Sequence, residues 1–256
     1  MGFFTALRFL TIFPAPYNGP EGPYDLGRAL AFFPVVGLVI GIVLGGLSFL
    51  LRTVFPPAVV AALLLTVLVM LTGAHHLDGL MDTCDGMVVG RTKIQRLEIM
   101  SDMRVGAFGI AGACLVLLLK YSIFCGTSGI AAMLVFPTAS RWAMSGAMLV
   151  FPSAKDSGSG FDAKQGAGWP GFVAGGLITL IVCVLCLGIV QGALLLAGLF
   201  ALVIALGGIL TALYGGLTGD SYGAVIEIGE VLALLLVIIL SHNWTFFPGS
   251  ALVVFP

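Results

Sequence analysis

Long apolar segments separated by short polar loops run along most of the chain. They cover residues 29–51, 58–74, 105–124, 130–151, an uncharged stretch at 171–213 that divides near Gln191, and residues 224–240. A helix needs roughly 20 predominantly apolar residues to cross a bilayer, and the segments are about this long once the uncharged stretch is divided. The pattern therefore predicts an all-α fold, a polytopic transmembrane helical bundle of about seven spans that forms one domain over residues 1–256.

The composition excludes an ordinary soluble domain. Of the 256 residues, 59% are hydrophobic and 9% are charged, whereas a soluble domain carries about 25% charged residues. The mean hydropathy is +1.15. The formal net charge is -1 and the 11 basic residues form no long cluster, so no nucleic-acid partner is expected. Membrane lipid is an expected partner, and the sequence leaves homo-oligomerisation open.

The basic residues are distributed unevenly among the loops. If the polar segment 75–104 is cytoplasmic, Arg52 and Lys120 lie outside and Arg141 lies within a span. The basic residues then placed on the cytoplasmic side are Arg8, Arg28, Arg91, Lys93, Arg96, Arg104, Lys155 and Lys164. Cytoplasmic loops carry an excess of Lys and Arg. The sequence therefore predicts a multi-pass protein of the cell (inner) membrane with its N-terminus and its active site on the cytoplasmic side.

The most polar part of the chain begins with the segment GAHHLDGLMDTCDGM at residues 73–87. If this segment is helical, Asp78, Asp82 and Asp85 lie at positions i, i+4 and i+7, so their carboxylates share one face. Like charges on one helix face repel one another. The repulsion grows where the dielectric constant is low, unless a cation lies among them. The spacing therefore predicts a divalent-metal site at the membrane surface.

A second acidic stripe opens the last span. In a helix that starts near residue 220, Asp220, Glu227 and Glu230 fall at i, i+7 and i+10 and share a face. The predicted topology brings both stripes to the same side of the membrane. The expected metal ligands are Asp78, Asp82, Asp85, Glu227 and Glu230. Hard oxygen donors suit Mg²⁺ or Mn²⁺ better than zinc, and the expected cofactor is Mg²⁺.

Carboxylates that leave room for phosphate oxygens around Mg²⁺ are typical of phosphoryl transfer. Arg104 and Arg141 are candidates to hold phosphate oxygens, because a guanidinium group can donate two parallel hydrogen bonds to them. These residues together indicate a Mg²⁺-dependent enzyme that acts on a phosphorylated substrate at the cytoplasmic membrane face.

Four blocks of sequence, in this order, resemble the cobalamin synthase family. They are HLDGLMDTCDG at residues 76–86, RLEIMSDMRVGAFG at 96–109, SRW at 140–142 and TGDSYGAVIEIGE at 218–230. An FLTxFPxP pattern at residues 9–16 extends the resemblance towards the N-terminus. Met81 stands where an alanine is usual in that family. The loop at 151–170 matches poorly, and no role is carried onto it.

The resemblance implies a membrane enzyme that completes the nucleotide loop of vitamin B12. Its reaction transfers the cobinamide phosphate from adenosylcobinamide-GDP to α-ribazole or α-ribazole 5′-phosphate and releases GMP. Asp82 or Asp85 is then expected to accept the hydroxyl proton, while Mg²⁺ neutralises the pyrophosphate. The expected substrate-binding residues are His76, Asp102, Arg104, Arg141 and Asp220.

Two other functions stay open at the level of sequence. The run from Asp78 to Gly86 resembles part of the acidic signature of CDP-alcohol phosphotransferases, although it lacks their Ala-Arg pair and their longer spacing. A cation-coupled transporter could use the same carboxylates as ion sites. Transporter sites lie near the bilayer midplane on broken helices, whereas these carboxylates cluster at span ends.

Overall fold

The computed structural model describes residues 2–16, 23–127 and 129–242, and the regular elements in these residues are helices without a strand among them. The chain begins with α1 (Gly2–Leu10), α2 (Pro23–Arg28), a 3₁₀-helix (Ala29–Phe32), α3 (Phe33–Leu51) and α4 (Pro57–Thr72). It continues with α5 (His75–Val89), α6 (Lys93–Ile99), α7 (Ala107–Gly126), α8 (Ile130–Val150), α9 (Ser159–Gln165), α10 (Trp169–Leu187), α11 (Ile189–Tyr214) and α12 (Gly219–His242). The predicted all-α fold is confirmed.

Several of these helices have the length and apolarity needed to cross a membrane. Five segments qualify individually within the described residues: Asp25–Leu51, Ala107–Gly126, Trp169–Leu187, Ile189–Tyr214 and Gly219–Ser241. Helices α4 and α5 qualify only as a pair that is bent by 88° at the break between them, which would make six. A polytopic helical bundle is therefore confirmed, while the count of about seven spans stays a prediction.

Helix α8 forms the centre of the bundle. It is buried along almost its whole length and packs against α3, α10, α11 and α12. Glycines of α3 allow it to approach α8 closely: a Cβ added to Gly37 would lie 2.2 Å from the Pro137 carbonyl oxygen, and one added to Gly41 would lie 2.5 Å from that of Met133. Because α8 is surrounded by protein rather than lipid, it can carry the charged Arg141 at a buried position.

The polar segments meet at one end of the bundle. Ser153 and Leu217 form an isolated parallel bridge, in which the Ala154 N–H donates to the Leu217 carbonyl oxygen at 2.9 Å. From the same loop, the Lys155 ammonium donates to Ser101 Oγ at 3.1 Å. The 151–158 loop thereby joins the connections that precede α7 and α12. These loops therefore converge at one end of the bundle, but the prediction that the whole second acidic stripe lies there too is wrong, because Glu227 and Glu230 are buried between helices.

Lys120 does not lie at the opposite end of the bundle, where the charge count placed it. It is 1% exposed within α7, and its ammonium donates to Glu227 at 2.6 Å. Arg52 does lie at that end, where it donates to the carbonyl oxygens of Phe124 and Thr127 at 3.1 and 2.6 Å. The removal of Lys120 from the outer loops makes the difference in basic charge between the two ends larger than predicted.

Candidate active site

A sharp break between α4 and α5 redirects the aspartate-rich segment. Gly73 and Ala74 both adopt left-handed backbone conformations, with φ of 62° and 58°, which is uncommon for a residue such as alanine. The Gly73 N–H donates to the Met70 carbonyl at 3.1 Å, and the Ala74 carbonyl accepts from the Asp78 N–H at 2.9 Å. The resulting 88° bend turns α5 away from the direction of α4 and lets it pack against α12.

Two glycines allow α5 and α12 to approach closely. A Cβ added to Gly79 would lie 2.7 Å from the Asp220 carbonyl oxygen, and one added to Gly223 would lie 3.0 Å from that of His76. Both separations are shorter than the roughly 3.5–4.0 Å of a favourable van der Waals contact. The two backbones therefore touch because neither residue has a side chain. The crossing brings the beginning of α5 to the first turn of α12.

Asp78, Asp82 and Asp220 form a carboxylate cluster at this crossing. The partly buried Asp82 interacts electrostatically with Asp220 and then with Asp78 and Asp85, all unfavourably. Lys155 supplies an opposing positive charge at both Asp82 and Asp220. Carboxylates that repel one another in a partly buried place are stabilised by a cation. The carboxylate cluster therefore has the charge to bind one.

Asp85 has a different environment from the other two aspartates of α5. It is 5% exposed, and its two carboxylate oxygens accept the backbone N–H groups of Gly106 at 2.7 Å and Gly109 at 2.9 Å. These N–H groups open α7, where a carboxylate satisfies unpaired donors and interacts favourably with the helix dipole. Asp85, expected as a metal ligand and a candidate base, thus anchors α5 to α7.

Glu227 and Glu230 lie inside the bundle and pair with cations. Lys120 donates to Glu227 at 2.6 Å and also to Glu230, and Arg141 Nη1 donates to Glu230. These four residues, here called the buried charge network, are each less than one-tenth exposed. With a rise of 1.5 Å per residue, the glutamates lie about 10 and 15 Å along α12 from Asp220. The structure therefore does not bring the glutamates into the carboxylate cluster. The prediction of one metal site shared by Asp78, Asp82, Asp85, Glu227 and Glu230 is wrong in this respect.

His76 borders the buried charge network. It is 6% exposed, packs against Gly223 and interacts electrostatically with Arg141, Glu230 and Lys120. Within the described residues, His76 Nδ1 and the Nε and Nη2 atoms of Arg141 have no hydrogen-bond partner. Buried polar atoms are seldom left unpaired. These predicted substrate-binding residues therefore keep unused capacity for hydrogen bonds.

Asp102 and Arg104 pair with each other in the loop before α7. Arg104 Nη2 donates to Asp102 Oδ2 at 2.7 Å, and the Arg104 side chain is 88% exposed. Hydrogen bonds from Arg104 lower the pKa of Asp102, and the same contact raises the pKa of Arg104. Asp102 also lines a small surface cavity with Val89 and Gly90, at the C-terminal end of α5. This end lies about 10 Å along the helix from Asp82, so the structure does not gather the pair with the carboxylate cluster.

Two lysines of the site were missed by reasoning from the sequence. Lys155 lies in the loop at 151–170, which matches the family poorly. It is placed near the cluster by the bridge between Ser153 and Leu217, and no local sequence pattern predicts a contact between residues so far apart in the chain. The charge distribution alone places Lys120 among the outer charges. Its position in an apolar segment was a usable signal, because charged residues within spans usually face the protein interior and pair there.

The carboxylate cluster has the donor chemistry of a Mg²⁺ site. Its oxygens are the hard ligands that this ion prefers. Among the residues that the structure describes, no group of three His, Cys, Asp or Glu side chains could hold a metal ion by itself. Proteins often bind Mg²⁺ through one or two carboxylates, with substrate phosphates and water completing the coordination shell. One or two of these carboxylates could therefore hold Mg²⁺ only together with ligands from outside the chain, and Mg²⁺ stays a prediction.

Known proteins resemble this chain over nearly its whole length. A relative from Geotalea daltonii is 36% identical and covers 92% of this chain and 96% of its own. A relative from Desulfitobacterium hafniense is 39% identical over 90% of this chain and 93% of its own, and one from Roseiflexus sp. is 37% identical over 90% and 86%. All three carry the name adenosylcobinamide-GDP ribazoletransferase.

No solved structure matches the chain. The relatives do not support either a CDP-alcohol phosphotransferase or a cation-coupled transporter. The cobalamin-5-phosphate synthase (CobS) family profile matches residues 2–238, which contain all four sequence blocks and the carboxylate cluster. The chain therefore belongs to the cobalamin-5-phosphate synthase family.

Proposed function

We propose that this protein transfers the adenosylcobinamide phosphate from adenosylcobinamide-GDP to α-ribazole or α-ribazole 5′-phosphate, the last assembly step of cobalamin. The names of relatives that cover about nine-tenths of the chain support this reaction. The structural observation that carries it is the carboxylate cluster, which Asp78 and Asp82 of α5 form with Asp220 of α12. Transfer from a nucleoside diphosphate needs such a site, because catalysis consists largely of positioning and of neutralising the phosphate charge.

The proposed chemistry is a displacement at phosphorus. A ribose hydroxyl oxygen of the ribazole forms a bond to the phosphorus that carries cobinamide, and the bond from this phosphorus to the bridging oxygen breaks. GMP leaves with the electron pair, and the hydroxyl proton goes to a base. We assign the base to Asp82, because both oxygens of Asp85 already accept backbone hydrogen bonds.

The proposed ligands of Mg²⁺ are Asp78 and Asp220, the other two members of the carboxylate cluster. When bound, the ion supplies positive charge that stabilises the diphosphate and the departing GMP. Lys155 brings a cation from the chain itself to the same place. We propose that Lys155 binds a phosphate oxygen of the GDP moiety, which would exchange its interaction with the carboxylates for one with substrate.

The proposed location is the inner membrane, with the carboxylate cluster facing the cytoplasm. The support is the concentration of Lys and Arg at the cluster end, opposite to Arg52. In a cysteine-free background, Lys93→Cys and Lys164→Cys should react with a membrane-impermeant maleimide only from the cytoplasmic side. Arg52→Cys should react only from the other side. The reverse labelling pattern would refute the proposed orientation.

Purified protein in liposomes allows the reaction itself to be tested. Adenosylcobinamide-GDP with each ribazole acceptor should give GMP and the cobalamin product in equal amounts. EDTA should stop the reaction and added Mg²⁺ should restore it. CDP-diacylglycerol serves as the control donor and should give no CMP. Failure of both acceptors to support GMP release in the presence of Mg²⁺ would overturn the proposed function.

A further inference from the structure

The buried charge network links three helices inside the apolar bundle. Lys120 belongs to α7, Arg141 to α8, and both glutamates to α12. The exposed fractions are 1% for Lys120, 0% for Arg141, 6% for Glu227 and 1% for Glu230. Such charges are costly in the interior of a membrane protein unless they pair with one another. Each charge in this network therefore needs its partners to offset the cost of its burial.

The charges of the network cancel. Two ammonium or guanidinium groups face two carboxylates, and Glu230 contacts both cations while Glu227 contacts Lys120. The removal of one partner from a buried ion pair leaves an uncompensated charge and is strongly destabilising, whereas the removal of both is often tolerated. We therefore expect the net charge of the network, rather than any single side chain, to decide whether this part of the bundle keeps its geometry.

Helix α7 contacts both helices that carry the carboxylate cluster, α5 and α12. At its start, its backbone N–H groups bind Asp85 of α5. Further along, Lys120 binds Glu227 and Glu230 of α12. Together with the contact between Gly79 and Asp220, these bonds place α5, α7 and α12 side by side, so an uncompensated charge between α7 and α12 would displace α12. The position of α12 along its axis determines where Asp220 stands relative to Asp78 and Asp82.

We propose that Lys120 is a positioning residue for the transfer reaction. It neutralises Glu227, and it neutralises Glu230 together with Arg141. It thereby holds α12 at the position along the helix axis that places Asp220 in the carboxylate cluster. Glu227 and Glu230 act through this contact and not as ligands of a metal or a substrate. The inference rests on the proposed function for its activity measurement, but its stability measurement is independent of any substrate.

Charge compensation tests the proposal. Lys120→Met gives the network a charge of −1, Glu227→Gln gives it +1, and the double variant returns it to zero. Each single variant should lower Tm and reduce kcat per folded enzyme by roughly 10- to 100-fold, because a displacement of about 1 Å at a catalytic group has effects of this size. KM should change little. The double variant should regain the wild-type Tm and most of the wild-type kcat.

Controls and readouts separate the alternatives. Lys93→Met and Glu98→Gln make the same changes at exposed positions of α6 and should behave as wild type. The variants are assayed as monodisperse protein well below Tm, so that a mere loss of folded protein does not lower kcat. If Tm recovers in the double variant but kcat stays as low as in Glu227→Gln, Glu227 has a direct role and the proposal is wrong. Wild-type Tm and kcat in Lys120→Met would also overturn it.

A failure of the proposed function gives a different result. In that case wild-type protein releases no GMP, yet the recovery of Tm in the double variant still supports the buried charge network as the element that holds α12. Absence of that recovery, with both single variants destabilised, would show that the two residues act separately and would overturn the proposal.

Discussion

Replacement of Gly79 by alanine tests whether the carboxylate cluster depends on the close crossing of α5 and α12. The added Cβ would lie 2.7 Å from the Asp220 carbonyl oxygen and 2.9 Å from the Asp220 Cα. Both atoms belong to the backbone of the helix that carries Asp220, so no side chain can rotate out of the way. The helices must separate, or one of them must slide.

The size of the effect follows from these distances. Restoring a contact of about 3.5 Å requires a displacement of nearly 1 Å. Overpacking of this kind typically costs about 1–3 kcal/mol of stability, which alanine's better helix propensity offsets by up to about 1 kcal/mol. A 1 Å shift of Asp220 away from Asp78 and Asp82 should reduce kcat by about 100-fold. The loss of activity should therefore exceed what the loss of stability explains.

Thermal unfolding and GMP release on the same preparation measure the two effects. Gly46→Ala is the matched control, because an added Cβ at Gly46 has no atom within 4 Å, so it should retain activity and a wild-type or higher Tm. Equal kcat values for Gly79→Ala and Gly46→Ala would refute the argument that backbone contact at Gly79 sets the geometry of the cluster.

Three further predictions concern individual charges. Asp82→Asn should reduce kcat by about 100-fold or more without lowering Tm, because it relieves repulsion from Asp78 and Asp220; an active variant would exclude Asp82 as the base. Asp85→Ala should lower stability by about 1–2 kcal/mol through loss of its helix-capping bonds, and an unchanged Tm would contradict this role. Lys155→Met should raise KM for adenosylcobinamide-GDP by about tenfold, as loss of one charge-assisted hydrogen bond predicts, while an unchanged KM would exclude phosphate binding by Lys155.

The sequence alone determined features that depend on local periodicity. Apolar segments of bilayer length predicted the helical membrane bundle, and the structure shows helices where those segments lie. The spacing of Asp78, Asp82 and Asp85 predicted that they lie on one helix, and α5 (His75–Val89) contains all three. The sequence blocks indicated the family, which the comparisons confirm over residues 2–238.

Only the tertiary structure decided what each carboxylate does. Asp85 caps α7 because the first turn of that helix packs against α5, while Asp82, one turn earlier, meets Asp220 instead. Glu227 lies on the predicted stripe, yet its partner is Lys120, which is 107 positions away in the chain. Helical period specifies the face on which a side chain lies, but not its depth along the axis or the charge opposite it. Those depend on how closely separate helices pack, which here is controlled by glycines such as Gly79 and Gly223.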